Sequence, residues 1–254
     1  PRYLDACDSG DPHTAVARMC WPDMPWTGDI KKDKAIADNP NKPFYRHHTH
    51  RQLTKKMGHA SNYGGKPPTI SALSGMPIDI VVAFQPRYFA AFPAHQAWQG
   101  WVASQLATKG VLTSLMGRRR WFFGRRTDEN VVREAIAYDP QGSLADIVNT
   151  ALLNIWHRNY VIIMFQDHDA LTFMYPEEVE DEIIPRIMAD LVVRVPLNNG
   201  RELAIPYDCK VGWNRGDYDA TTNPEGLREY KGTDDRKRQA QAGILDRRVR
   251  RTYG

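Results

Sequence analysis

The stretch Arg51-Gln-Leu-Thr-Lys55-Lys-Met-Gly-His59-Ala-Ser-Asn-Tyr63-Gly64 constrains the fold most. Arg51 and Lys55 are one helical turn apart, so they share a face and can hold one polyanion together. His59 and Tyr63 continue the row in steps of four. Leu53, Met57 and Ala60 fall on the opposite side, where they can pack. Gly64-Gly65 and Pro67-Pro68 supply the stop, a C-cap followed by prolines. A helix with one packing face and one charged, aromatic face suits a ligand made of phosphate and base. A solvated basic face beside a core stripe is the plain alternative, and the helix alone leaves both open.

Around this helix the chain alternates helical and strand signals. Residues 13–20 predict a helix behind an Asp8-Ser-Gly-Asp11-Pro turn, with a shorter helix before it. Residues 24–50, rich in Pro, Asn, Asp and Lys, read as loop. Aromatics at near-helical spacing over 86–109 predict a core-facing helix or helix pair. Residues 111–115 predict a strand. Helices are expected over 130–137 and 143–158, on either side of a Pro140-Gln141-Gly142 break. The β-branched run 160–166 and the run 170–175 flank Asp167-His168-Asp169, which predicts a tight hairpin with an acidic tip. Pro176-Glu-Glu opens a helix to about residue 193, with acid in its first turn. Residues 202–213 predict a further strand. Beyond 213 apolar periodicity fades and basic runs appear at 236–238 and 247–251, so 214–254 reads as a basic C-terminal tail. The expected fold class is α+β, with 1–125 as a helical subdomain and 126–213 as a subdomain built on an antiparallel sheet.

Composition excludes little. Among 254 residues, 42% are hydrophobic and 25% charged, with formal net charge +4. That mild surplus permits a nucleic-acid partner without demanding one. The cysteines, Cys7, Cys20 and Cys209, are an odd number at unrelated spacings, which argues against a disulfide framework or zinc ribbon and for a reducing compartment. Apolar runs such as 80–84 and 161–165 are too short to span a bilayer, so no membrane partner is expected. The sequence opens on Pro1 rather than Met, and reads as a processed product or a piece of something longer.

Three further groups carry chemistry. A rigid hairpin holding Asp169, with His168 and Asp167 beside it, could present a carboxylate to Mg²⁺, which favours oxygen ligands and needs few from protein. An acidic turn is the alternative, since Asp is a common turn residue. In Arg133…Gln141-Gly142…Asp146 the Arg and Gln are long donors suited to base edges or sugar–phosphate, or else a surface arginine and a helix-start glutamine. Arg118-Arg119-Arg120-Trp-Phe-Phe-Gly-Arg125-Arg126 mixes cations with aromatics, which suits a nucleic-acid groove or a solvated basic turn. His47-His48-Thr-His50 lacks nearby carboxylates or cysteines at ligand spacing.

In order and spacing these segments resemble the C-terminal polymerase region of A-family DNA polymerases, the class of bacterial DNA polymerase I and many phage replicases. Arg51-x-x-x-Lys55…Tyr63-Gly64 looks like motif B, the fingers helix that grips the incoming nucleotide. Gln166-x-His168-Asp169 looks like motif C, the palm hairpin. Arg133…Gln141-Gly142…Ala145-Asp146 resembles the segment between them that contacts the primer–template minor groove. Leu115-Met-Gly117-Arg118-Arg119 is similar to a Leu-x-Gly-Arg-Arg stretch. Asp11-Pro-His-Thr-Ala-Val-Ala resembles the segment after motif A, and Ile205-Pro-Tyr-Asp-Cys-Lys-Val-Gly-Trp213 the closing strand. Three positions depart from the pattern. His59 stands where relatives carry Phe or Tyr, which bears on sugar discrimination. Ala170 stands where motif C has Glu, and Ala137 where relatives have Asn. Motif A, with the other metal-binding Asp, would fall upstream of Pro1, as would the thumb.

The resemblance implies an incomplete polymerase right hand, with fingers over 1–125 and palm over 126–213. It implies nucleotidyl transfer from a dNTP to a primer 3′ end on a DNA template, as part of a split, cleaved or truncated replicase. Arg51 and Lys55 would bind the triphosphate, and His59 and Tyr63 the sugar and base. Asp169 would bind metal in a two-Mg²⁺ site, with His168 at the primer terminus. Arg133, Gln141, Gln166, Arg118 and Arg119 would hold DNA. A second polypeptide would supply the thumb and the second catalytic Asp, leaving the isolated chain inactive. A phage protein in the host cytoplasm fits this. The rivals are a fragment of a single-subunit phage-type RNA polymerase and a non-catalytic DNA-binding subunit.

Overall fold

The structure is a computed structural model that describes residue 6 and residues 9–197, 200–205 and 207–230. The expected N-terminal short helix and the basic runs at 236–238 and 247–251 lie outside the described residues. The fold class is α+β. Two compact units divide it, Pro1–Ser143 and Leu144–Gly254.

The first unit begins with α1 (Pro12–Cys20), α2 (Ile30–Ala37) and α3 (His50–Asn62). It continues with α4 (Pro67–Ser74), α5 (Ile78–Ala91) and α6 (Pro93–Lys109). A hairpin of β1 (Val111–Thr113) and β2 (Arg119–Trp121) follows, and then the first half of α7 (Glu129–Arg158). One core gathers Val16 of α1, Leu53 and Met57 of α3, and Val81, Phe84 and Tyr88 of α5. A second packs Val102 and Leu106 of α6 against Leu112, Phe122, Ile136 and Tyr138. Leu53 and Met57 are both 0% exposed. Burying each contributes about 1.5–3 kcal/mol, against the few tenths of an exposed i, i+4 pair, so packing rather than charge sets the rotation of α3.

Both ends of α3 are fixed by local chemistry. Gln52 N–H donates to the Thr49 hydroxyl, and Thr49 N–H donates to Gln52 Oε1, a reciprocal cap. At the far end Gly65 N–H donates to the Ala60 carbonyl and Gly64 N–H to that of Ser61, with Gly64 at φ 72°. That left-handed position favours glycine, which explains Gly64 after Tyr63.

The second unit holds the rest of α7, the hairpin β3 (Ile162–Asp167) with β4 (Ala170–Met174), and α8 (Glu180–Leu191). Short pairs β5 (Val195–Pro196) with β6 (Glu202–Leu203), and β7 (Lys210–Val211) with β8 (Arg228–Glu229), complete it. Ile163, Leu171 and Phe173 of the hairpin pack on Ala151 and Ile155 of α7 and Ile187 and Leu191 of α8. The ladder shifts register between Ile163 and Phe165, a bulge that reorients the strand before the tip.

Four sequence expectations are corrected. Residues 24–50 contain α2, nucleated by Asp29, whose carboxylate accepts from Lys31 N–H and Lys32 N–H. Pro67-Pro68 ends α3 and also starts α4, where the first-turn N–H groups have no helical partner to lose. Pro140 does not break α7, which runs through it. The buried side chains before it (Ala135, Ile136) and after it (Ile147, Val148, Ala151) outweigh the backbone hydrogen bond that proline forfeits. The strand expected over 202–213 is two short pieces, 202–203 and 210–211, and residue 228 onward pairs with the second of them, so part of the presumed tail is folded.

Candidate functional site

The row on α3 exists as its spacing requires, but its cations stand in different surroundings. Arg51 donates through Nε to Asp11 Oδ2 at 2.9 Å and through Nη2 to Asp11 Oδ1 at 3.1 Å. Its Nη1 lies 3.6 Å from Asp38 Oδ2. Asp11 also caps α1, accepting from Thr14 N–H, and Asp38 accepts from the Thr49 hydroxyl. Burial pushes the Asp11 carboxyl up, yet the hydrogen bonds from Arg51 and Thr14 and the Arg51 charge outweigh it and hold it below its ordinary range. Lys55 is exposed and has no carboxylate partner among the described residues. The rings of His59 and Tyr63 meet edge to face at 4.8 Å. Tyr63 is half-buried against the Val102–Tyr138 core and closes the helix.

One residue joins this face that sequence reasoning did not single out. His13 of α1 is half-buried, and its imidazole is held below its ordinary pKa by burial and then by the charges of Arg51 and Lys55. Both cations thus favour the neutral form of the ring. The signal was the Asp11-Pro-His-Thr segment itself, in which Asp11 pairs with Arg51 and His13 feels its charge. Half-buried Arg51 and His13 with exposed Lys55, His59 and half-buried Tyr63 make a face that can receive a polyanion bearing a base.

The other expected residues of the first unit lie elsewhere on it. Arg133 on α7 hydrogen-bonds Asn130, and its Cγ would stand 3.7 Å from a Cβ placed on Gly64, so its stem lies against the end of α3. Gln141 is exposed on the same helix. Arg118 and Arg119 are exposed on the β1–β2 hairpin, where the Arg118 carbonyl accepts from Tyr138 Oη at 2.7 Å.

The acidic tip belongs to the second unit. Asp167 pairs with Ala170, which leaves His168 and Asp169 as the two turn residues, both exposed. His168 takes φ 52°, the left-handed region. Gln166 Nε2 donates to Asn149 Oδ1 at 2.7 Å, which orients it, and Arg215 lies 3.4 Å from Asp167. Asp169 offers a hard, solvent-facing carboxylate that suits Mg²⁺. Among the described residues no three His, Cys, Asp or Glu side chains gather as a metal site. The tip therefore fits as one contributor to a metal site and not as a complete one.

An α+β chain with a cationic, aromatic helix face and an acidic hairpin is of the polymerase-domain type. Residues 34–218 match the model of DNA polymerase family A, and the chain belongs to that family. It is 28% identical over 173 residues to "DNA polymerase I, thermostable" of Thermus filiformis, covering 65% of this chain and 20% of that protein. It is 31% identical over 128 residues to DNA polymerase I of Geobacillus stearothermophilus, covering 45% of this chain and 15% of that one. The chain thus spans about a fifth or less of the length of these curated relatives. Its fold is similar to the POL domain of Pol1 from M. smegmatis, solved in complex with DNA primer-template and dNTP. That likeness has a TM-score of 0.60 at 22% identity, covering 74% of this chain and 32% of the other.

Proposed function

We propose that this chain contributes the nucleotide-gripping and duplex-holding parts of a DNA-directed DNA polymerase. The observation that carries the reading is the α3 face, where Lys55 stands open, Arg51 is held at two points by Asp11, and the charge of both favours the neutral form of half-buried His13. In this reading Lys55 meets the triphosphate as a point charge, and Arg51 turns its remaining N–H edge to the same oxygens. Holding Arg51 in advance removes the need to order a long side chain when nucleotide arrives. His59 and Tyr63 line the sugar and base. Arg133, Gln141 and Gln166 hold the primer–template through its minor groove, with Arg118 and Arg119 on its backbone. His168 touches the primer terminus.

Asp169 would hold Mg²⁺, whose chemistry when bound is charge neutralisation on the reacting phosphate and activation of the attacking oxygen. The second catalytic carboxylate and the thumb would come from outside these residues, on an upstream polypeptide. The hairpin tip, where Asp169 is open and Asp167 pairs with Arg215, supports that part of the reading, since among the described residues no three ligating side chains gather there.

The test is primer extension with dNTPs and Mg²⁺, by the chain alone and with a polypeptide carrying the upstream part of the polymerase. Synthesis only in the combination, abolished by Asp169→Ala with DNA binding kept, is the expected result. Robust synthesis by the chain alone would remove the need for a partner. DNA binding with no synthesis in any combination would favour a binding subunit, and preference for rNTPs would favour an RNA polymerase.

A further inference from the structure

The β1–β2 hairpin and the residues just after it carry two rings, Trp121 and Phe123, that neither the core nor the site explains. Along β2 the chain alternates. Arg120, itself exposed, takes the face of Phe122, pairing with Glu134 and laying its guanidinium 5.1 Å from the Phe122 ring centroid and 5.6 Å from that of Tyr138. Phe122 itself is buried. The alternate positions turn outward: Arg119 is exposed, Trp121 is 58% exposed, and Phe123 is 95% exposed. A phenyl ring left almost wholly in water contributes little to folding, and with the exposed Trp121 two residues away it offers an aromatic face to a ligand.

The rings are not on a loose loop. Phe122 N–H donates to the Gly110 carbonyl at 2.9 Å, and Ser114 N–H to that of Arg118 at 2.8 Å. Gly124 lies so close to Val131 that a Cβ there would be 2.7 Å from its Cγ2. Beside the rings lies an open recess of about 230 Å³, lined by Trp121, Phe122, Phe123, Gly124 and Val131 and by the Arg120–Glu134 ion pair. That is below the ~300–1,000 Å³ of clefts for drug-sized ligands and of the order of one planar base. Arg119 and Arg125 stand within two residues of the rings in sequence, both exposed and neither paired with a carboxylate among the described residues.

We propose that this face is a stacking platform for single-stranded DNA, with unstacked bases on Trp121 and Phe123 and phosphates on Arg119 and Arg125. Exposed aromatic rings interleaved with unpaired cations match a chain of π-faces joined by anions. A duplex covers its base faces by stacking and leaves the rings unused. An apolar protein partner leaves the arginines unused. The inference rests on the reading above only for the polymer, DNA, and adds a contact ahead of the paired region, where a template is unpaired.

The experiment compares binding of a labelled oligothymidine and of a blunt duplex by fluorescence anisotropy, across a salt series. The proteins are the wild-type chain, Trp121→Ala/Phe123→Ala and Arg119→Ala. Because both rings are exposed, the double variant keeps its melting temperature. The expected result is oligothymidine affinity at least about tenfold weaker in the double variant, with duplex affinity within about twofold. Arg119→Ala lowers the salt dependence of oligothymidine binding by about one phosphate contact. Unchanged oligothymidine affinity in the double variant overturns the proposal. So does a wild-type dimer that the double variant dissociates while oligothymidine affinity stays fixed, which marks the face as a contact between copies. Failure of primer extension bears on the polymerase reading and leaves this measurement intact.

Discussion

Arg51 and Asp11, 40 residues apart, meet in a two-point ion pair at 2.9 and 3.1 Å that ties the start of α3 to the start of α1. Asp11 serves three partners at once: Arg51, Thr14 N–H and the Thr14 hydroxyl. Asp11→Ala removes a helix cap and leaves Arg51 without its main partner, so the expected loss is about 2 kcal/mol by denaturant unfolding. Asp11→Asn keeps the shape and should lose less. Because the Asp11 carboxyl is held below its ordinary value of 3.8, its contribution is present above that pH and lost as pH falls through the folded value. The acid-unfolding curve of Asp11→Asn should therefore be flatter than that of wild type below about pH 4.

His13 gives a readout of anion binding that does not depend on catalysis. Burial, then Arg51 and Lys55, hold its pKa below the ordinary 6.5. The unfolded chain then binds more protons than the folded one just below pH 6.5, so this residue's contribution to stability is full above that pH and falls on acidification. A triphosphate seated on Arg51 and Lys55 cancels the nearby positive charge and should raise the His13 pKa. An NMR titration of the imidazole with and without dNTP checks this. An unmoved pKa at saturating nucleotide would place the triphosphate elsewhere. Lys55→Ala should raise the pKa of the free protein in the same direction, through loss of one of those charges.

Asp33 is a purely structural charge. It is 0% exposed, accepts from Thr27 N–H at 2.7 Å, the Thr27 hydroxyl at 2.8 Å and Gly28 N–H at 3.2 Å, and pairs with Arg18 at 3.3 Å. Burial pushes its carboxyl up, but these hydrogen bonds and the Arg18 charge outweigh burial and hold it low. Asp33→Ala strands two backbone donors and should cost about 2–4 kcal/mol, with nucleotide affinity per folded molecule unchanged. A fall in affinity larger than the fall in folded fraction would show that α2 reaches the nucleotide face.

What the sequence disclosed follows the range of the forces involved. α3 and the β3–β4 hairpin are local patterns, apolar spacing in one and turn chemistry between β-branched runs in the other, so both were legible. α2 was hidden because only Asp33 and Ala37 of it are buried, leaving no apolar stripe. Its one clear mark is Asp29 at the cap. Pro140 misled because local propensity was opposed by packing on both sides of it. The row Arg51, Lys55, His59, Tyr63 was legible as a face. Its electrostatics were not, because Asp11 and Asp38 reach Arg51 only through the packing of α1 and α2 against α3.

The turn at the acidic tip supplies the last prediction. His168 takes φ 52°, a conformation that costs an L-residue about 1 kcal/mol and a β-branched one more. Its backbone is thus bent so that Asp169 follows at the second turn position, exposed to solvent. His168→Val should destabilise the second unit by about 1–2 kcal/mol, whereas His168→Gly should stay within about 0.5 kcal/mol, relief of strain offsetting the greater freedom of the unfolded chain. If the imidazole acts only through this turn, the glycine variant, given its upstream partner, should extend primers as wild type does. If the ring contacts the primer terminus, the glycine variant should keep stability and lose extension rate. Thermal melts paired with single-turnover extension separate the two, because stability reads the backbone and rate reads the side chain.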